Sequence, residues 1–144
     1  MRKIFGIIAI MALFVFSCNQ NKTQKDKPKQ DNKVVDTHNA RNSLDYYGEY
    51  EGVIPCADCP GIKLSITLKK GDEYKMDYVY QDKENGTHSE SGKFTWDETN
   101  TKITLKNAPF EKYMVAENKL ILLDGTGNII TGELADLYVL KKIK

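Results

Sequence analysis

Ile62-Lys63-Leu64-Ser65-Ile66-Thr67-Leu68 places an apolar side chain at every second position. That is the period of a β-strand with one face buried and the other in water. After the turn signal Gly71-Asp72, Tyr74, Met76, Tyr78 and Tyr80 alternate with Lys75, Asp77 and Val79, which predicts a second such strand. Upstream, Tyr46 to Ile54 is rich in aromatic and β-branched residues and stops at Pro55, as a strand does, with Gly48 and Gly52 as bends or close-approach points. Downstream, Asn85-Gly86 is the strongest two-residue turn signal and lies in the polar run Gln81 to Glu90. It leads to a strand on which Gly92, Phe94 and Trp96 share one face. Short strands are then expected around Ile103–Leu105, Tyr113–Val115, Leu120–Leu123 and Leu137–Leu140. Asn107-Ala108-Pro109, Glu117-Asn118 and Asp124-Gly125-Thr126-Gly127-Asn128 separate them.

No stretch carries a sustained helical period, whereas about eight strands recur roughly every ten residues. The fold class read from this pattern is all-β, a small antiparallel meander. Closing the meander into a β-barrel removes the exposed strand edges, and a two-sheet sandwich is the alternative.

The chain has 144 residues, 40% hydrophobic and 28% charged, with a formal net charge of +1. A single soluble domain follows, and the near-neutral balance argues against nucleic acid as a partner. At the N-terminus Arg2 and Lys3 precede an apolar run, Ile4 to Phe16, long enough for a signal-peptide core and too short to span a bilayer with ease. Val15-Phe16-Ser17-Cys18 resembles the lipobox of bacterial lipoproteins, which implies cleavage after residue 17, lipidation of Cys18 and a membrane anchor. Removing Arg2 and Lys3 from the 21 basic residues leaves 19 against 20 acidic ones, so the mature chain is close to neutral. Residues 18–43 are almost wholly polar and read as a tether, with an r.m.s. reach of roughly 25–30 Å for about 25 flexible residues. Residues 44–144 then form the barrel domain.

Chemistry concentrates in Pro55-Cys56-Ala57-Asp58-Cys59-Pro60-Gly61. A C-x-x-C pair can be a redox disulfide, a structural bridge or a soft-metal site. The strand that follows Cys59 counts against a thioredoxin-type enzyme, whose first cysteine sits at a helix N-terminus. As a structural bridge the pair closes so short a loop that its stabilisation is small. Zinc wants four ligands, and His38 and His88 are the only histidines, the former in the tether and the latter in a polar hairpin. Cu(I) is content with two thiolates, with Met76 or Met114 as optional thioether ligands or simply core residues. Tyr74, Tyr78 and Tyr80, with Trp96, either line a cavity for a small apolar ligand or fill the core. No Ser/His/Asp or Cys/His arrangement and no phosphate-binding glycine loop is present, so no enzymatic activity is expected.

Gly48-Glu49-Tyr50-Glu51-Gly52-Val53-Ile54-Pro55-Cys56-Ala57-Asp58-Cys59-Pro60-Gly61-Ile62 is similar to the signature of the copper-resistance lipoprotein NlpE, N-terminal-domain family. Gly92-Lys93-Phe94-Thr95-Trp96, Leu120 to Ile129 and Tyr138-Val139-Leu140 follow in that family's order. The resemblance implies a lipocalin-like barrel on an outer-membrane lipoprotein of a Gram-negative envelope, concerned with copper tolerance and envelope stress, with an envelope-stress sensor as partner. By motif, Cys56 and Cys59 carry over as the copper-binding pair, and Asn19 after the lipidated cysteine agrees with outer-membrane sorting. A second, C-terminal domain with its own cysteines, found in longer members, has no counterpart in these residues, so a signalling role resting on it does not transfer. The expectation is a non-enzymatic lipoprotein whose Cys56/Cys59 loop takes Cu(I) or responds to redox conditions. The alternative is a lipocalin-like carrier of a small apolar molecule.

Overall fold

A computed structural model describes residues 38–144. The signal segment, Cys18 and the tether up to residue 37 lie outside the described residues. A single helical turn, α1 (Ala40–Ser43), precedes β1 (Gly48–Ile54), β2 (Ile62–Lys69), β3 (Glu73–Tyr80), β4 (Thr87–Trp96), β5 (Lys102–Leu105), β6 (Lys112–Ala116), β7 (Lys119–Leu122) and β8 (Val139–Lys142). Each strand pairs antiparallel with the next, and β8 returns to β1 through Tyr50↔Lys142 and Glu51↔Lys141. The meander is thus a closed barrel, which excludes the sandwich.

Alternation decides what faces inward. Along β2 the sequence Ile62, Leu64, Ile66, Leu68 is buried and the residues between are not. Tyr50, Leu64, Ile66, Met76, Phe94, Tyr113, Leu120 and Leu140 are among the side chains with 2% exposure or less, and they occupy the barrel interior. The aliphatic, methionine and phenylalanine side chains among them each contribute about 1.5–3 kcal/mol by leaving water. An eight-stranded barrel is only just wide enough for side chains to fill it or to hold one small guest. Here side chains fill it. Tyr74 and Tyr78 are core residues, and the Tyr74 hydroxyl donates to the Lys106 carbonyl at 2.6 Å. Tyr80 and Trp96 are half-buried and pack on the core from its rim. The interior chamber that a small-ligand carrier needs is therefore occupied by the protein's own side chains.

The two ends of the barrel differ. At one end the connections are short, spanning residues 70–72, 97–101 and 117–118, and α1 lies across it. Asn39 caps this turn, its side chain accepting from Asn42 N at 3.2 Å, and Ala40 is buried. The Arg41 guanidinium sits 5.9 Å from the Trp96 ring centroid, and the Arg41 backbone N–H donates to the Asn100 carbonyl. Trp96 meets Tyr46 edge-on at 5.0 Å. Among the described residues regular structure is thus already present four residues before Leu44, because a capped turn with one buried alanine and one arginine over an aromatic ring needs no helical period to form. At the other end lie the longer connections, residues 55–61, 81–86, 106–111 and 123–138.

Two strands depart from expectation. β4 begins at Thr87, inside the run that reads as a polar connection, because its ladder with β3 (Val79↔Thr87, Tyr78↔His88, Asp77↔Ser89) holds it extended while its side chains stay in water. β8 begins at Val139, since Ala135–Tyr138 forms a 3-10 turn. Elsewhere the turns carry residues suited to positive φ, including Asn85, Asn100, Asn107 and Asn118.

Candidate functional site

Ile54 and Ile62 pair across β1 and β2, so residues 55–61 are the connection between them. Pro55 ends β1 by removing a ladder donor. Gly61 sits at a close approach: a Cβ there would meet Val53 Cγ1 at 2.7 Å, so a larger residue needs that side chain to shift. Its carbonyl accepts from Gln81 N at 3.0 Å, which ties this loop to the neighbouring one.

Cys56 and Cys59 are joined by a disulfide, with their Cα atoms 5.3 Å apart. Both are half-buried and pack against the core cluster. Cys56 Sγ lies 3.5 Å from Asp58 Oδ1, and Cys59 Sγ lies 3.4 Å from the Gly61 carbonyl oxygen. Bonded sulfurs have no hydrogen to donate, but after reduction each thiol has an acceptor at hand. Lys83, a cation that reaches this loop from the 81–86 connection, is already committed, its Nζ lying 2.8 Å from Asp58 Oδ2. This hydrogen-bonded ammonium holds the Asp58 carboxyl below its ordinary range. Because β2 rather than a helix follows, the loop lacks the N-terminal dipole that activates a thioredoxin-type cysteine.

Lys83 reaches Asp58 because the 81–86 loop is wound tightly. Gly86 N donates to the Lys83 carbonyl at 3.1 Å, and a Cβ on Gly86 would strike the Tyr80 carbonyl oxygen at 2.5 Å. An aromatic cluster spans the adjoining strands and the 106–111 connection: Tyr78 stacks on His88 at 4.9 Å and meets Tyr80 and Phe110 edge-on at 6.0 Å each. Burial pushes the Tyr78 hydroxyl above its ordinary range.

Cys56, Asp58 and Cys59 offer one ligand atom each within 4.8 Å of one another. Once the bridge is reduced, two soft sulfurs on a short loop fit a soft ion such as Cu(I). The methionines do not join them. Met76 is fully buried and pairs with Ile66, four residues along β2 from the loop, or roughly 13 Å at strand rise. Met114 is on β6, four strands from β2 in either direction around the barrel, and lines a surface groove with Ala40 and Leu44. His38 borders the same groove, and His88 is exposed in β4, outside the group of three. Asp58 was visible between the cysteines but has no signal of its own in the sequence. Lys83, 25 residues away, has none either.

Comparison with known proteins follows the same lines. Residues 50–133 match the family model described as the NlpE N-terminal domain. Lipoprotein NlpE of Escherichia coli (strain K12) is 34% identical over 134 residues, covering 92% of this chain and 54% of that protein. The chain thus spans about half the length of this curated relative. A lipoprotein of Shewanella oneidensis, known from its crystal structure, is 45% identical with a TM-score of 0.68, over 72% of this chain and 94% of that one. The crystal structure of NlpE from Escherichia coli, described as the Cpx pathway activator, is 30% identical with a TM-score of 0.49, over 60% of this chain and 46% of that one.

Proposed function

This chain belongs to the NlpE N-terminal domain family, and from that premise we propose that it is a non-enzymatic, outer-membrane lipoprotein that contributes to copper tolerance by binding Cu(I) at Cys56 and Cys59. The observation that carries the proposal is the placement of the pair. Its sulfurs are half-exposed on a proline-bounded loop at a barrel rim, without an activating cation or helix, above an interior already filled. Such a pair is a poor thiol catalyst and a ready ligand set. Attachment through Cys18 holds the domain in an oxidising envelope, where the pair rests as a disulfide until reduced. Oxidised and reduced-metallated loops then differ in charge and shape, which gives a route to signal envelope stress. The Escherichia coli relative's description as a Cpx pathway activator supports a sensor protein of that pathway type as the partner.

The test is Cu(I) titration of the reduced full chain under anaerobic conditions against a competing chelator. One equivalent should bind, and C56S/C59S should bind none. A double variant that keeps the wild-type affinity would overturn the proposal.

A further inference from the structure

Cu(I) needs only the two sulfurs, yet the loop carries a third donor. Asp58 Oδ1 lies 3.5 Å from Cys56 Sγ, while Oδ2 is held at 2.8 Å by Lys83 Nζ. The ion pair thereby occupies one carboxylate oxygen and leaves the other turned toward the sulfurs. We propose that the reduced loop is also a site for a thiophilic divalent cation, of zinc or cadmium type, held by both thiolates and Asp58, and that Asp58 sets the balance between such an ion and Cu(I). This rests on the loop being a metal site when reduced.

Two considerations favour the divalent ion where Asp58 takes part. Carboxylate oxygen is an ordinary ligand for zinc-type ions, whereas Cu(I) prefers sulfur. Charge points the same way. Two thiolates and one carboxylate, offset by the Lys83 ammonium, leave two negative charges, which a divalent cation neutralises and a monovalent one does not. Three protein ligands on an exposed loop leave a fourth position for water, the open tetrahedral arrangement. Opening the site takes two electrons and two protons from a dithiol, which departs as its own disulfide. Each cysteine then gives its proton to solvent as the metal binds.

The experiment uses the reduced full chain and two probes, Cd2+ followed by its thiolate charge-transfer absorbance and Cu(I) against a competing chelator. Asp58 is exposed and outside the core, so Asp58→Ala leaves the fold in place. The expected result is a fall in Cd2+ affinity of about tenfold or more with Cu(I) affinity within about twofold of wild type, the size of effect that changes around a metal ligand produce. Unchanged Cd2+ affinity in D58A, an equal loss of both metals, or wild-type protein that binds Cu(I) but no Cd2+ would each overturn the inference. The last of these would leave the copper proposal standing. Binding of Cd2+ with the D58A loss, but without Cu(I) binding, would support the inference and overturn the copper proposal.

Discussion

The two ends of the barrel divide labour. The end crossed by α1 is sealed by short turns, by Arg41 over Trp96, by the Tyr46–Trp96 edge contact and by the Tyr50 hydroxyl donating to the Tyr46 carbonyl at 2.8 Å. The opposite end carries the Cys56–Cys59 loop, the Asp58–Lys83 pair and most of the exposed large apolar residues, Val53, Ile129, Leu134 and Leu137. Contacts at the first end are mutual and centre on the buried Tyr46 and Tyr50, so disturbing them costs stability. Those at the second are half-exposed and polar, so disturbing them changes chemistry while the barrel persists. The lesson is that a filled barrel frees one rim for a reactive loop because the loop is not needed to hold the fold.

Four measurements test this division between the ends. Phe94 is 2% exposed and edges Trp96 at 6.2 Å. Its replacement by alanine should lower unfolding stability by about 3–5 kcal/mol in urea denaturation. A loss no greater than that of the cysteine variant would refute the division. C56S/C59S opens a ring with a sequence separation of only 3. Loop-closure entropy limits the loss there to about 2 kcal/mol, with the barrel's circular dichroism unchanged.

Asp97 organises a turn at the sealed end, accepting from Thr101 N and Lys102 N at 3.0 Å each and from the Thr99 hydroxyl at 2.6 Å. Burial pushes its carboxyl up, but the hydrogen bonds from Thr99, Lys102 and Thr101 together outweigh burial and hold it below the ordinary range. Asp97→Ala should cost about 1–2 kcal/mol at neutral pH. A carboxyl whose folded pKa is depressed contributes stability that is present above its unfolded pKa of about 3.9 and lost as pH falls through the lower folded value. The difference between wild type and D97A should therefore be full above about pH 4 and shrink below it. A difference that stays constant down to pH 2 would mean that charge plays no part. The smallest effect is expected at Arg41, where alanine should cost about 0.5–1 kcal/mol because the stacked guanidinium is partly exposed. Thermal melts of R41A that match wild type would show that α1 merely rests on the barrel.

Much of the fold was legible. The strict alternation at Ile62–Leu68 and Tyr74–Tyr80 has one solution for a half-buried chain, and β2 and β3 lie where it says. Thr87 to Glu90 was illegible as strand because its side chains face water and only the backbone ladder to β3 makes it extended. Leu137 reads as strand but lies in the 3-10 turn before β8, the strand that rejoins β1. α1 escapes any periodicity rule by its length of one turn. At the site, the cysteines and Asp58 were visible as a motif. The removal of Met76 and Met114 and the arrival of Lys83 were not, because each depends on which strands become neighbours.

About eight strands, the all-β class and the short reactive loop between two prolines were readable in the residues alone. All of these follow from local period, turn chemistry and covalent spacing. That Tyr74 and Tyr78 are packed core and that Lys83 grips Asp58 came with the three-dimensional arrangement. Those outcomes depend on barrel closure, which brings together side chains whose separation along the chain carries no information about their separation in space.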